Sequence, residues 1–176
     1  MSEIVVASGS VAEPRPLFPS RVLAGRKLCV VGGTGFLGKV WVSMLLDRFP
    51  EIAHLYLLVR PKADQTAEER FWAQIASSAV FDPLREKYPG PAFEAFLRDK
   101  ITPVAGDLVE PLLGIDENLL KSLEGQVAAV VNVAGDGDFL ITGQELATAT
   151  GYGANRGAGR LISLVVDNGT YGTIRM

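Results

Sequence analysis

Apolar residues in this chain come in short, unbroken runs closed by Gly, Pro or Asp. Lys27–Val31 (KLCVV), Leu55–Arg60 (LYLLVR), Ile101–Val104 and Val127–Val133 are such runs, rich in β-branched residues. Runs this short read as strands. They lack alternation of apolar and polar positions, which predicts a sheet covered on both faces. Leu161–Val166 is a further run of the same kind. Between the runs the period changes. Lys39–Arg48 (KVWVSMLLDR) places apolar residues on one face at helical spacing, and Pro50 stops it. Thr66 to Arg98 is amphipathic, with breaks expected at Asp82-Pro83 and Pro89-Gly90-Pro91. Thr66 and Glu69 have the spacing of a capping box, in which hydroxyl and carboxylate satisfy opposing backbone N–H groups. Glu117–Leu123 predicts a short helix. Strands alternating with helices predict an α/β fold, a three-layer sandwich around a mainly parallel sheet.

Composition agrees with a packed domain. The chain has 176 residues, 48% hydrophobic and 21% charged, enough for one domain with an appendage. Disordered, collagen-like and fibrous classes are excluded. The formal charge of −3 argues against a nucleic-acid surface, whose footprint is a basic stripe. One cysteine, Cys29, and one histidine, His54, give neither an internal disulfide nor a structural zinc. A reducing compartment, and so a cytoplasmic location, is the expectation. No run approaches the roughly 18 apolar residues of a membrane span. Met1 to Ser20 has no basic stretch of the secretory kind. Pro14, Pro16 and Pro19 predict a disordered arm over residues 1–22. Trp41 and Trp72 read as packing residues on amphipathic helices, and Cys29 as a small hydrophobe within a strand.

The richest chemistry lies after the first strand, in VVGGTGFLGK. Gly32, Gly35 and Gly38 follow a strand and open a helix. Gly32 permits the tight turn, Gly35 lets a diphosphate approach the backbone, and Gly38 lets the helix pack on the strand. Amide N–H groups and the positive end of the helix dipole then face the anion. The spacing is not that of a P-loop, because Lys39 follows a single Gly and precedes Val. The end of the second strand selects the cofactor. An acidic residue there would bond a ribose 2′-hydroxyl, but this chain has Arg60 followed by Lys62. A guanidinium matches a phosphate, which predicts NADPH over NADH. Asp107, after the third strand, is placed to accept from an adenine amino group or to form a turn. Small residues in Val133-Ala134-Gly135 would let the cofactor lie across the carboxyl edge of the sheet.

GGTGFLGK, LYLLVRPK, AEERF, ASSAVFDPLRE, ITPVAGDL and VVNVAG, in that order, closely resemble the NADPH-binding half of fatty acyl-CoA reductases. Thioester reductase domains of the extended short-chain dehydrogenase/reductase type are similar. The resemblance covers about Leu23 to Ala134. It implies a Rossmann-like, doubly wound sheet, incomplete in this chain. It also implies reduction of an acyl-CoA or acyl-carrier thioester by NADPH to an aldehyde or alcohol. Under it, Gly32, Thr34, Gly35, Phe36, Leu37 and Gly38 would contact the diphosphate. Arg60 would take the 2′-phosphate, Asp107 and Leu108 would approach the adenine, and Ala134 would neighbour the nicotinamide riboside. The family uses Tyr-x-x-x-Lys, the Tyr giving a proton to the carbonyl oxygen and the Lys lowering its pKa. Four residues after Tyr56, Tyr88, Tyr152 and Tyr171 stand Arg60, Ala92, Arg156 and Arg175, so no dyad is present and the catalytic residues stay unassigned. In the family the dyad lies well beyond the fourth strand, and the chain is expected to end before it and before the substrate-binding part. A dinucleotide-binding module without turnover is therefore the alternative.

A second resemblance covers about Gly135 to Met176. GDGDFLITGQELATA and LVVDNGTYGTIRM resemble the diphosphate-binding motif of thiamine-diphosphate enzymes of the acetolactate-synthase type. It implies Mg²⁺ held by Asp136 and Asn168, hard oxygen ligands bridging to two phosphates. A fragment of a thiamine-diphosphate carboligase is thus a third reading. The interval from Gly137 to Asn168 is longer than that family's, and NRGAGRLISLV is also similar to the reductases' helix after the fourth strand. The expected organisation is an arm at 1–22, a dinucleotide-binding domain at 23–134 and a truncated or hybrid segment at 135–176.

Overall fold

The structure is a computed structural model and describes residues 18–135 and 160–166. Its centre is one sheet of five parallel strands: β1 (Lys27–Val31), β2 (His54–Val59), β3 (Ile101–Ala105), β4 (Val127–Gly135) and β5 (Arg160–Val166). The spatial order is β3-β2-β1-β4-β5. The chain moves outward from β1 to β3, then returns to the other side of β1. The carboxyl ends of β1 and β4 therefore flank a switch point, where open α/β sheets bind ligands. This is the Rossmann-like α/β fold expected from the sequence.

Helices cover both faces, because both faces of the central strands are apolar. On one side lie α2 (Phe36–Arg48), α3 (Ala67–Arg70), α4 (Asp82–Lys87) and α5 (Pro91–Lys100). Between α3 and α4 the chain passes through a π turn, Phe71–Ala76, and a 3₁₀ turn, Ala79–Phe81. Val42, Leu46, Phe71, Ile75, Phe81, Leu84 and Leu97 pack there against Leu55, Leu57 and Val59 of β2. Burying each such apolar side chain stabilises the fold by about 1.5–3 kcal/mol. On the opposite face Val31, Leu58 and Val104 meet Ile115, Leu119 and Leu120, the last two from α5's successor α6 (Glu117–Leu123). β3 is buried only at Ile101 and Val104. It lies at the edge of the sheet, where Pro103 leaves no interior ladder bond unmade.

The helical stretch differs in one respect from its sequence. A break is expected at Asp82-Pro83, yet α4 begins there, with Pro83 in its first turn. Proline is tolerated there because the missing N–H has no intrahelical partner. The interruption falls instead at Ser77 and Ser78, between the π and 3₁₀ turns. The second expected break is present, with Gly90 at φ 62° and Pro91 opening α5. Thr66 and Glu69 form the predicted capping box, and the Thr66 N–H and hydroxyl hold the Glu69 carboxyl below the usual carboxylate range. Of the arm expected over 1–22, residues 1–17 lie outside the described residues, and Pro19–Leu23 form a short helix, α1. No helix among the described residues is long and apolar enough to cross a membrane.

Candidate functional site

The turn from β1 into α2 lies at the switch point and is shaped by its neighbours. Gly32 has φ 78°, and a Cβ there would sit 2.1 Å from the Val133 carbonyl oxygen of β4. A Cβ on Gly38 would lie 2.1 Å from the Gly32 carbonyl oxygen and 2.5 Å from Gly33 Cα. The first turn of α2 therefore rests on the loop, backbone against backbone. Gly35 is different: the nearest atom to a Cβ there is the Gly32 oxygen, at 3.7 Å. Its outer face is open.

That open face carries unused donors. Gly35 is the N-cap and offers no side-chain cap, and the first turn holds no acidic residue. Lys39 N–H is the first to reach back along the helix, to Gly35 O at 3.0 Å. The amides of Phe36, Leu37 and Gly38 precede it and have no intrahelical acceptor. α2 is thirteen residues long, so its dipole adds positive potential at the same end. The cradle fits an anion that approaches the main chain closely. Thr34 is half-buried, Phe36 is exposed, and Leu37 packs against the core.

Two further predicted residues meet beside the loop. Arg60, just past β2, donates from Nε to Asp107 Oδ2 at 2.8 Å. Arg60 is 70% exposed and Asp107 only 22%. Asp107 Oδ1 also accepts the Val109 N–H at 3.3 Å, so its carboxylate organises the turn after β3. That turn is tight. Asp107 N–H donates to Leu113 O at 2.8 Å, and a Cβ on Gly106 would lie 2.5 Å from the same oxygen. Leu112 and Leu113 are left-handed, at φ 54° and 62°, a conformation that costs about 1–2 kcal/mol per residue. Leu108 is exposed beside Asp107, with Val109 and Leu112.

Ala134 lies on β4 and pairs with Val165. The last β1–β4 pair is Val31 with Asn132, so Ala134 extends past the end of β1 toward the switch point. Asp136 and Asn168, the magnesium ligands of the thiamine reading, lie outside the described residues. Sequence reading missed two residues here. Gly33 is buried, and a Cβ there would strike Leu57 Cδ1 at 2.2 Å. Arg70, in α3, donates from Nη1 to the Arg60 carbonyl. The first was legible as a fourth loop glycine; the second had no local signal. Elsewhere, His54 starts β2, far from the loop along the strand. Its Nδ1 lies 2.9 Å from the Asp99 carbonyl and its Nε2 2.8 Å from Thr102 Oγ1. No group of three or more potential metal ligands converges among the described residues.

The family model described as male sterility protein, an NAD-binding family, matches residues 30–156. The chain belongs to this family. The match continues past Gly135, where the second sequence resemblance begins. Fatty acyl-CoA reductase 8 of Arabidopsis thaliana is 34% identical over 118 residues, which are 66% of this chain and 24% of that protein. Fatty acyl-CoA reductase 1 of Mus musculus is 40% identical over 93 residues, 53% of this chain and 17% of that protein. A thiolation-reductase di-domain from an archaeal non-ribosomal peptide synthetase shares the fold. It has a TM-score of 0.50 and 19% identity over 80% of this chain and 28% of that one. The chain thus spans about a quarter or less of the curated relatives it matches. As a family member it is an NAD(P)-binding domain.

Proposed function

We propose that this domain binds NADPH and serves hydride transfer to an acyl-CoA or acyl-carrier thioester, giving an aldehyde or alcohol. The observation that carries the reading is the uncapped first turn of α2 above the open face of Gly35, with Arg60 at the end of the neighbouring strand. The amides of Phe36, Leu37 and Gly38 would hold the diphosphate, with Gly32 and Thr34 shaping the turn. Arg60 would take the 2′-phosphate through the guanidinium edge that Asp107 leaves exposed. Asp107 and Leu108 would border the adenine, and Ala134 the nicotinamide riboside. Bound NADPH would supply the hydride. A proton must also reach the carbonyl oxygen, and no Tyr-x-x-x-Lys in this sequence offers one. On this reading the chain by itself binds the cofactor, and the proton donor for turnover stays unassigned.

Titration with NADPH and NADH, followed by nicotinamide fluorescence, tests this. NADPH binding without acyl-CoA-dependent oxidation is the expected result, and absence of NADPH binding overturns it. Hydrogen bonds to a charged group contribute about 1.5–3 kcal/mol, so Arg60→Ala should weaken NADPH roughly tenfold or more. NADH should change little. Equal losses would show that Arg60 does not read the 2′-phosphate.

A further inference from the structure

Arg60 is fastened through its own backbone. Arg70 donates from Nη1 to the Arg60 carbonyl. Arg70 is itself held: its Nε donates to Gln74 Oε1 at 3.3 Å. Gln74 Nε2 then donates to Gln65 Oε1 at 3.1 Å. Gln65 closes the circuit through the main chain. Lys62 N–H donates to Gln65 O at 3.1 Å, and Gln65 N–H donates to Lys62 O at 3.2 Å. From Lys62 the chain leads through Pro61 back to Arg60. A closed ring thus joins the end of β2 to α3 and the π turn. The ring carries no core burden: Gln74 is exposed, and Gln65 and Arg70 are half-buried. The surface loop from Arg60 to Gln65 is nonetheless tied to one orientation, at the place where the cofactor's extra phosphate would arrive.

We propose that Gln74 is a positioning residue for 2′-phosphate recognition. By holding Arg70 on the Arg60 carbonyl, it sets the direction in which the loop delivers the Arg60 guanidinium. The claim rests on the reading that Arg60 takes the 2′-phosphate. The physical reason is preorganisation: a long side chain on a loose peptide must be ordered at binding, and that ordering subtracts from affinity. Asp107 steadies the guanidinium end through Nε, and the Gln65–Gln74–Arg70 ring steadies the backbone end. NADH lacks the phosphate, so its affinity does not draw on the ring.

The test measures dissociation constants of the full chain for NADPH and NADH by fluorescence titration. Gln74→Leu is expected to lower the NADPH preference about threefold or more, the low end of what a hydrogen bond contributes, expressed as affinity. Gln74→Glu is expected to restore it, because a carboxylate accepts from Arg70 Nε and from a rotated Gln65 amide. Gln65→Leu opens the same ring from its other side and should shift the preference in the same direction, so a misfolded Gln74→Leu would not end the test. A preference within twofold of wild type in both leucine variants overturns the inference, as does an equal loss for both dinucleotides. In those cases Arg60→Ala still abolishes the preference and the function reading stands. If wild type shows no preference for NADPH, or Arg60→Ala leaves it intact, the reading itself fails and the inference falls with it.

Discussion

Gly35→Ala separates binding from folding in this site. Gly35 has φ −70° and ψ 171°, which alanine adopts without strain. An added Cβ meets nothing nearer than the Gly32 oxygen at 3.7 Å, an ordinary contact. Removing a glycine stabilises by about 0.4–1 kcal/mol through the unfolded chain. Alanine is a poorer N-cap than glycine, which opposes this by a similar amount. The net change should stay below about 1 kcal/mol, a Tm shift within roughly 2–4 °C for a chain of this size. Binding should respond differently. The methyl group would occupy the face onto which the Phe36, Leu37 and Gly38 amides open. Displacing a phosphate oxygen from one charge-assisted bond loses about 1.5–3 kcal/mol, or roughly ten- to a hundredfold in affinity. Gly38→Ala is the control, since its Cβ would lie 2.1 Å from backbone oxygen. Overpacking of that kind costs about 1–3 kcal/mol, so stability and binding should fall together. Thermal melts and NADPH titrations of the three proteins decide the matter. A Gly35→Ala chain that binds NADPH like wild type would refute an anion site at this turn.

Two further outcomes follow from buried or partly buried groups. The Asp99 carbonyl can only accept, so neutral His54 carries its proton on Nδ1 and accepts from Thr102 on Nε2; burial first, opposed by the Asp99 carbonyl bond, holds its pKa below 6.5. A depressed folded pKa means this contribution to stability is complete above pH 6.5 and is lost as pH falls through the lower folded value. Urea unfolding at pH 7.5 and pH 5.5 should show that loss, and His54→Gln should reduce the difference; an unchanged difference would remove His54 as its source. Burial raises the Cys29 thiol to about 11, so iodoacetamide at pH 8 should label the chain only after unfolding, and rapid native labelling would contradict a buried β1.

The sheet was legible because burial leaves a local trace. β1 and Glu117–Leu123 appear where their residues predict, and β2 and β4 differ from the predicted runs only at their ends. Continuous apolar residues at β1 and β2 say that both faces are covered, and helices on both sides cover them. The π turn was not legible, because a single widened turn in Phe71–Ala76 leaves the amphipathic pattern intact. Nor were Leu112 and Leu113, since nothing in Pro-Leu-Leu-Gly announces left-handed leucines; the Leu113 carbonyl is simply needed by the Asp107 N–H.

The candidate site divides along the same line. Its proposed anion cradle would work through main-chain amides and through the absence of side chains, so it is written within a single stretch of glycines. Its proposed selectivity would work through side chains drawn from separate crossovers. Arg60 follows β2, Asp107 follows β3, and Arg70 and Gln74 sit on the helical stretch between them. The carboxylate at Asp107 is therefore not free to be an adenine reader alone. It already neutralises part of Arg60 and anchors a strained turn, so its replacement should disturb the guanidinium and the loop together. Residues that look independent in the sequence act as one unit here, and their effects on cofactor preference should fail to add.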